Sequence, residues 1–303
     1  MEISTLAERA EAFFEGPGAA ESEIRRPIEG LVLLRCTETT PLNATLYEPV
    51  VCLILQGQKE TSAGIAPVQL KPGQSLVVSH DLPVTSRITL ARADEPYLAM
   101  VLTLDVALLR SLYDEVGEVA DKLSEARALA VHEADPQFIG AFARYLSLAS
   151  NPLEARVLLP MVRREIHFRL LMAPHGGMLR RLLRHDSHAS NVSRAIAHIR
   201  SNFRGAVPVP ELARVVGMSP SSLHKHFKRV TSTTPLQYQK ELRLLEAKRL
   251  LGSGADSVSN VAYSVGYESP NQFSREYARK FGVSPRSHLG SLSPLAPRLT
   301  NTA

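Results

Sequence analysis

Between residues 28 and 104 the apolar positions come in short runs cut by turn signals. The runs are LVLLRC (31–36), VVCLIL (50–55), VQL (68–70), SLVV (75–78), SRITL (86–90) and YLAMVLTL (97–104). They have strand length and are rich in β-branched residues, which predicts a small β-sandwich or barrel. Pro41, Pro49, Pro67, Pro72, Pro83 and Pro96 fall at intervals that no long helix tolerates. Ahead of this region, residues 1–24 read as a short amphipathic helix with a loose end. After Asp105 the rhythm becomes helical. VALLRSLYDEV (106–116), PQFIGAFARYLSLA (136–149) and PLEARVLLPMVRREIHFRLLM (152–172) carry it. Phe138, Phe142, Tyr145, Leu146 and Ala149 make one apolar stripe, and Pro160 is expected to break or kink the third helix. APHGG (173–177) is a breaker. Ser190 or Ser193 is placed to cap a helix reaching about Asn202. The expectation is an α+β chain of two domains, 1–186 and 187–303.

The second domain contains one pattern written twice. VPELARVVGMSPSSLHKHFKRVTSTTP (209–235) is answered by VSNVAYSVGYESPNQFSREYARKFGVSP (258–285). Ala213 and Gly217 match Ala262 and Gly266. Ser219, Pro220, Leu223, Phe227 and Pro235 match Ser269, Pro270, Phe273, Tyr277 and Pro285, one residue further on. A regular internal repeat fixes architecture before single residues are weighed. In each copy a short helix ends at glycine and a second helix starts at Ser-Pro, where serine caps free amides and proline loses nothing. This is a helix-turn-helix pattern. Leu223, Phe227 and Val230, then Phe273, Tyr277 and Phe281, form the inward faces. PLQYQKELRLLEAKRLL (235–251), with Leu242, Leu245 and Leu250 on one side, predicts a linker helix joining the two units.

The side chains left facing outward have nucleic-acid chemistry. Ser221, His224 and Lys225 in the first copy, and Asn271, Gln272 and Arg275 in the second, occupy early positions of the second helix, where base edges are met. Arg275 and Lys225 suit guanine, and Gln272 or Asn271 suits adenine. Lys228, Arg229, Arg279 and Lys280, with the capping Ser219 and Ser269, are placed for phosphate. Charge agrees: residues 188–303 hold 16 Lys and Arg against 6 Asp and Glu, whereas residues 1–187 hold 19 against 24. The net charge of +5 therefore hides a basic module beside an acidic one. Two units on a rigid linker can reach successive major grooves about 34 Å apart.

At these residues the chain resembles the AraC/XylS family of bacterial transcription regulators. GMSPSSLHKHFK, TPLQYQKELRLLEAKRLL and VAYSVGYESPNQFSREYARKFGVSP carry the resemblance over about residues 190–288. It implies base contacts from Ser221, His224, Lys225, Asn271, Gln272 and Arg275. Residues 28–184 resemble the cupin-like N-terminal domain of one subgroup, through LKPGQSLVVSHDLPVTSRITL and LLPMVRREIHFRLL. Some members of that subgroup are associated with control of aldehyde-reductase genes. The resemblance implies double-stranded promoter DNA, RNA polymerase and a small-molecule effector as partners. The effector could be an aldehyde or another electrophile, and the helices of 106–184 are a relay and a place for a homodimer contact.

The remaining candidates lie in the β domain. Cys36 and Cys52 sit in apolar runs, where a thiol is ordinarily a small core residue; a sensing role requires an accessible thiolate. His80 and Arg87 are the other effector candidates. Tyr47, Tyr97 and Arg87 read either as cavity lining or as ordinary sandwich residues. VVSHDLP offers one histidine and no HxH, and His132, His167 and His175 are scattered, so no metal and no other cofactor is expected. Two cysteines without CxxC, no leader-like start and no membrane-length apolar run suggest a cytoplasmic protein. Two rival readings stand beside the regulator: a cupin enzyme with an accessory basic domain, and an architectural DNA-binding protein without an effector.

Overall fold

The computed structural model describes residues 2–15, 22–64, 66–117, 127–173, 176–184, 187–254 and 256–290. Among the described residues ten strands form two antiparallel sheets. They are β1 (Ser22–Ile28), β2 (Leu31–Cys36), β3 (Asn43–Tyr47), β4 (Val50–Gln56), β5 (Gln58–Ser62), β6 (Val68–Leu70), β7 (Gln74–Val78), β8 (Leu82–Leu90), β9 (Tyr97–Thr103) and β10 (Leu129–Glu133). One sheet has the order β1-β2-β9-β4-β7-β10 and the other β3-β8-β5-β6. The apolar runs of β4 and β9 are unbroken because their sheet is covered on both faces. Val50, Cys52, Ile54, Tyr97, Ala99 and Val101 face the interior between the sheets. Val51, Leu53, Leu55, Leu98, Met100 and Leu102, one residue out of phase, face a layer of helices.

That layer consists of α1 (Ile3–Glu11), α2 (Val106–Val116), α3 (Pro136–Ser147), α4 (Pro152–Met172) and α5 (Gly177–Leu183). Side chains of Asp105, Asp135 and Asn151 cap α2, α3 and α4. On α3 the stripe buries Phe138, Phe142, Tyr145 and Leu146, and Ala149 follows half-buried in a 3-10 turn. Two details differ from expectation. The first helix stops at Glu11 with a 3-10 turn to Phe14, and Ser22 already begins a strand. Pro160 lies inside α4, and the helix continues through it. Arg156 and Pro160 are both exposed there, so the carbonyl that loses its donor can be hydrated. His175 lies outside the described residues.

The C-terminal elements are α6 (His188–Asn202), α7 (Val209–Val215), α8 (Pro220–Thr231), α9 (Pro235–Gly252), α10 (Val258–Ser264) and α11 (Pro270–Phe281). The cap of α6 is Ser187, not Ser190 or Ser193: its side chain accepts the Ser190 amide at 3.0 Å, and Ser190 already lies in the first turn. The linker α9 has two working faces. Tyr238 and Leu242 join the core shared by the sandwich interior, α6, α7 and α8, while Leu244, Ala247 and Leu251 join a separate core with α10 and α11. Leu245 and Leu250, expected on the main apolar side, are only half-buried.

Candidate nucleic-acid interface

Each repeat forms the turn its sequence implies. At the end of α7 the Met218 amide donates to the Ala213 carbonyl at 2.9 Å, and Gly217 donates to Arg214 at 3.2 Å. At the end of α10 the Tyr267 amide donates to Ala262 at 3.0 Å, and Gly266 to Tyr263 at 3.0 Å. Both are Schellman closures with a left-handed residue at the corner, Gly217 at φ +71° and Gly266 at φ +94°. The next helix is then capped by serine. Ser219 accepts from Ser222 at 3.2 Å, and Ser269 accepts from Gln272 at 3.4 Å. Leu223, Phe227, Phe273 and Tyr277 are fully buried beneath these helices.

What is left on the outside is the predicted row. Ser221, His224, Lys225, Lys228 and Arg229 are exposed on α8, and Asn271, Gln272, Arg275 and Arg279 on α11. Lys280 is half-buried and bonded to Glu241 of α9 at 3.2 Å. Lys240 of α9 reaches Glu276 at the same distance, so two ion pairs hold α11 to the linker. Glu276 also accepts from Tyr267 at 2.9 Å and from the Gln272 amide at 3.2 Å. Against partial burial, those hydrogen bonds and Lys240 lower the Glu276 pKa. The Gln272 amide nitrogen is thereby oriented by Glu276. His226 is stacked on His188 with ring centroids 3.6 Å apart, off the row.

One residue that sequence reading missed joins the two units. Arg243, on α9, donates from Nε to the Phe203 carbonyl at 2.7 Å and from its terminal nitrogens to Gly266 at 2.8 Å and Gly205 at 2.8 Å. It ties the linker, the loop after α6 and the second turn into one body. Its signal was weak: an arginine within a linker helix read only for its leucine side.

The β-domain candidates do not form one site. Cys36 and Arg87 line a cavity of about 70 Å³ between the sheets, as do Tyr47 and Tyr97. Cys52 is buried beside it, with burial pushing its thiol up. The Cys36 thiol is also raised by burial, against a hydrogen bond from Ser22. Arg87 is exposed at the rim and pairs with Glu60 at 3.0 Å. His80 lies elsewhere, at the junction with α6. Its Nδ1 is 2.8 Å from Ser79 Oγ and its Nε2 3.3 Å from the Ala189 carbonyl, and burial lowers its pKa to about 4. His167 accepts the Asp105 amide at 2.8 Å inside the helical layer. Among the described residues no group of three or more His, Cys, Asp or Glu could hold a metal, and no helix is long and apolar enough to cross a membrane.

Residues 27–178, just over half of the chain, match the family model described as the AraC-type transcriptional regulator N-terminus. Residues 212–290 match a helix-turn-helix domain. The chain belongs to the AraC family of transcriptional regulators. Among curated members of the family, it is 36% identical over 97 residues to the HTH-type transcriptional activator RhaS of Escherichia fergusonii, covering 32% of this chain and 35% of that one. It is 34% identical over 101 residues to RhaS of Yersinia pestis strain Pestoides F, covering 33% and 37%. The match thus spans about a third of the length of these relatives. Two ToxT structures from Vibrio cholerae strain SCE256 share the fold. An apo variant has TM-score 0.55 at 11% identity, covering 89% of this chain and all of that one. The wild type bound to an unsaturated fatty acid has TM-score 0.55 at 12% identity, covering 90% and 99%.

Proposed function

We propose that this AraC-family chain binds a specific promoter site through α8 and α11 and regulates transcription there, under control of a small molecule held in the β domain. The observation that carries the reading is the pair of serine-capped helices whose buried faces match and whose exposed faces are polar and basic. Asn271, Gln272 and Arg275, with Ser221, His224 and Lys225, read base edges. Lys228, Arg229 and Arg279 supply phosphate contacts, with the helix N-termini at Ser219 and Ser269. Lys280 contributes less, because Glu241 already neutralises it. RNA polymerase is the further partner such a regulator requires.

The fold shared with ToxT, one structure of which holds an unsaturated fatty acid, supports a non-covalent effector. The buried, proton-holding thiols of Cys36 and Cys52 favour that over electrophile capture. A homodimer is supported by α4, which exposes Leu153, Val157, Met161 and Phe168 along one side. At about 1.5 Å per residue this stripe is long enough for an antiparallel copy of itself to cover. The reading is tested with Arg275→Ala. Selected promoter DNA should be bound about 1–3 kcal/mol more weakly, with non-specific DNA spared. Equal losses on both DNAs would remove Arg275 from base reading.

A further inference from the structure

The cavity between the two sheets contains a buried cation without a counter-ion. Lys59, on β5, is only 8% exposed. Its strand, QKETS, alternates so that Lys59 and Thr61 turn inward while Glu60 turns out to Arg87. The ammonium donates to the Tyr47 hydroxyl at 2.6 Å and lies 5.2 Å from that ring's centroid. Among the described residues no carboxylate pairs with it. Burial works against the charge, and Tyr47, which accepts its hydrogen bond, works for it; its pKa is raised. An ammonium has three donors, and only one is used here. Across the cavity the Tyr97 hydroxyl, almost fully buried, has no hydrogen-bond partner beyond a weak approach to the Cys52 thiol. A buried charge and a buried hydroxyl both left short of partners are costly unless something completes them.

We infer that this cavity binds a short aliphatic monocarboxylate, its carboxylate held by the Lys59 ammonium and the Tyr97 hydroxyl. One cation matches one negative charge, since Arg87 at the rim is already paired with Glu60. Ile24, Leu34 and Ile88 in the lining offer an apolar bed for the chain. A volume of about 70 Å³ holds roughly five water-sized bodies at 10–15 Å³ each, so the ligand has about four to six non-hydrogen atoms. Acetate to butyrate fit, and a long-chain fatty acid does not. The inference rests on the regulatory reading for its consequence, which follows from Asn43. Asn43 lines the same cavity, and its Oδ1 accepts from Lys248 of α9 at 2.6 Å. Lys248 also lies 5.2 Å from the centroid of the Phe281 ring, at the end of α11. Occupancy of the cavity therefore bears directly on the helix that sets the spacing of the two units.

The test is calorimetric titration of the full chain with acetate, propionate, butyrate, octanoate and the neutral isostere butyramide, beside footprinting on selected promoter DNA. Binding should peak at propionate or butyrate, with butyramide at least about tenfold weaker, as a hydrogen-bonded charge implies. Lys59→Met should lose butyrate by about tenfold or more. The same variant should melt no lower than the parent, because an uncompensated buried charge is gone. Tyr97→Phe, which removes only an unpartnered hydroxyl, guards against misfolding as the explanation and should weaken butyrate several-fold. Equal affinity for butyramide, unchanged affinity in Lys59→Met and Tyr97→Phe, or tightest binding of octanoate would each overturn the inference. Promoter binding without any carboxylate binding refutes this site and leaves the regulatory reading standing. Carboxylate binding without promoter specificity does the reverse.

Discussion

Gly217 and Gly266 occupy the same corner of the two repeats, yet alanine should cost very different amounts at each. Both have positive φ, +71° and +94°, so either substitution places a Cβ in left-handed backbone at about 1–2 kcal/mol. At Gly217 nothing lies within 4 Å of the added carbon, and that is the whole cost. At Gly266 the new carbon would overlap the Arg204 carbonyl oxygen and stand 2.8 Å from the carbonyl carbon. Arg204 cannot yield freely. Arg243 holds its carbonyl at 3.2 Å, those of Phe203 and Gly205 on either side, and that of Gly266 itself. Losing one hydrogen bond to a charged group adds about 1.5–3 kcal/mol. We therefore expect about 1–2 kcal/mol for Gly217→Ala and about 3–5 kcal/mol for Gly266→Ala. Urea unfolding followed by circular dichroism would measure both. Footprinting should show that Gly266→Ala loses the half-site of the second unit first. Equal destabilisation by the two variants would refute the claim that contact with Arg204, and not backbone conformation, fixes the second turn.

Arg243→Met should destabilise the second unit by about 2–4 kcal/mol, because it strands the Gly266 and Arg204 carbonyls, while those of Phe203 and Gly205 keep Gln239 as donor. Its footprint should shrink to one half-site, and a uniform weakening of both halves would count against the joint. His80 titrates near 4 in the folded chain against 6.5 when free. The folded state thus binds fewer protons than the unfolded one between these values, and stability is full above about pH 6.5 and falls as pH drops toward 4. The loss approaches roughly 3 kcal/mol, and His80→Gln should flatten the pH dependence of urea midpoints over that window; an unchanged slope would remove His80 as its source. Leu153→Glu with Met161→Glu should convert a dimer to monomer in sedimentation velocity, and a parent chain already monomeric would discard the α4 interface.

The helix-turn-helix region was legible because its determinants are local. A cap such as Ser219, a corner such as Gly217 and a face such as Leu223, Phe227 and Val230 each lie within a few residues of one another. The strands β4 and β9 were legible for a related reason: burial on both faces leaves an unbroken apolar run. The strands β1, β3, β5 and β10 were not singled out, because SEIRRPI, NATLY, QKETS and LAVHE carry polar residues on a half-open face. β10 also returns to the sheet only after a helix, pairing with β7 through Leu129 opposite Val78. The same polarity hid Lys59. Nothing in QKETS says that its lysine points inward until β5 is paired with β8 and β6. Arg243 was hidden differently, since its partners are backbone carbonyls that have no sequence signature.

The two units are alike in scaffold and unlike in attachment, which decides where regulation can act. The first unit shares its core with the sandwich interior. It is further fixed by Arg200 of α6 to Asp81 at 2.6 Å and Glu48 at 3.0 Å, by Tyr238 to the Asp81 carbonyl at 2.8 Å, and by the Ala128 amide to the Val230 carbonyl at 3.0 Å. Separating it would expose a packed core and break partly buried ion pairs together. The second unit has its own core, joined to the rest through the C-terminal half of α9, the Lys240–Glu276 and Lys280–Glu241 ion pairs, the Arg243 joint and the Lys248 bond to Asn43. Far less is lost when it shifts against the first. A small molecule in the sandwich can bias an equilibrium only by its differential affinity for the two states. The states that differ least in burial, and so are easiest to bias, differ in the placement of α11. On the proposed function, control falls on the copy that carries Asn271, Gln272 and Arg275, while α8 stays with the β domain as the fixed point of reference.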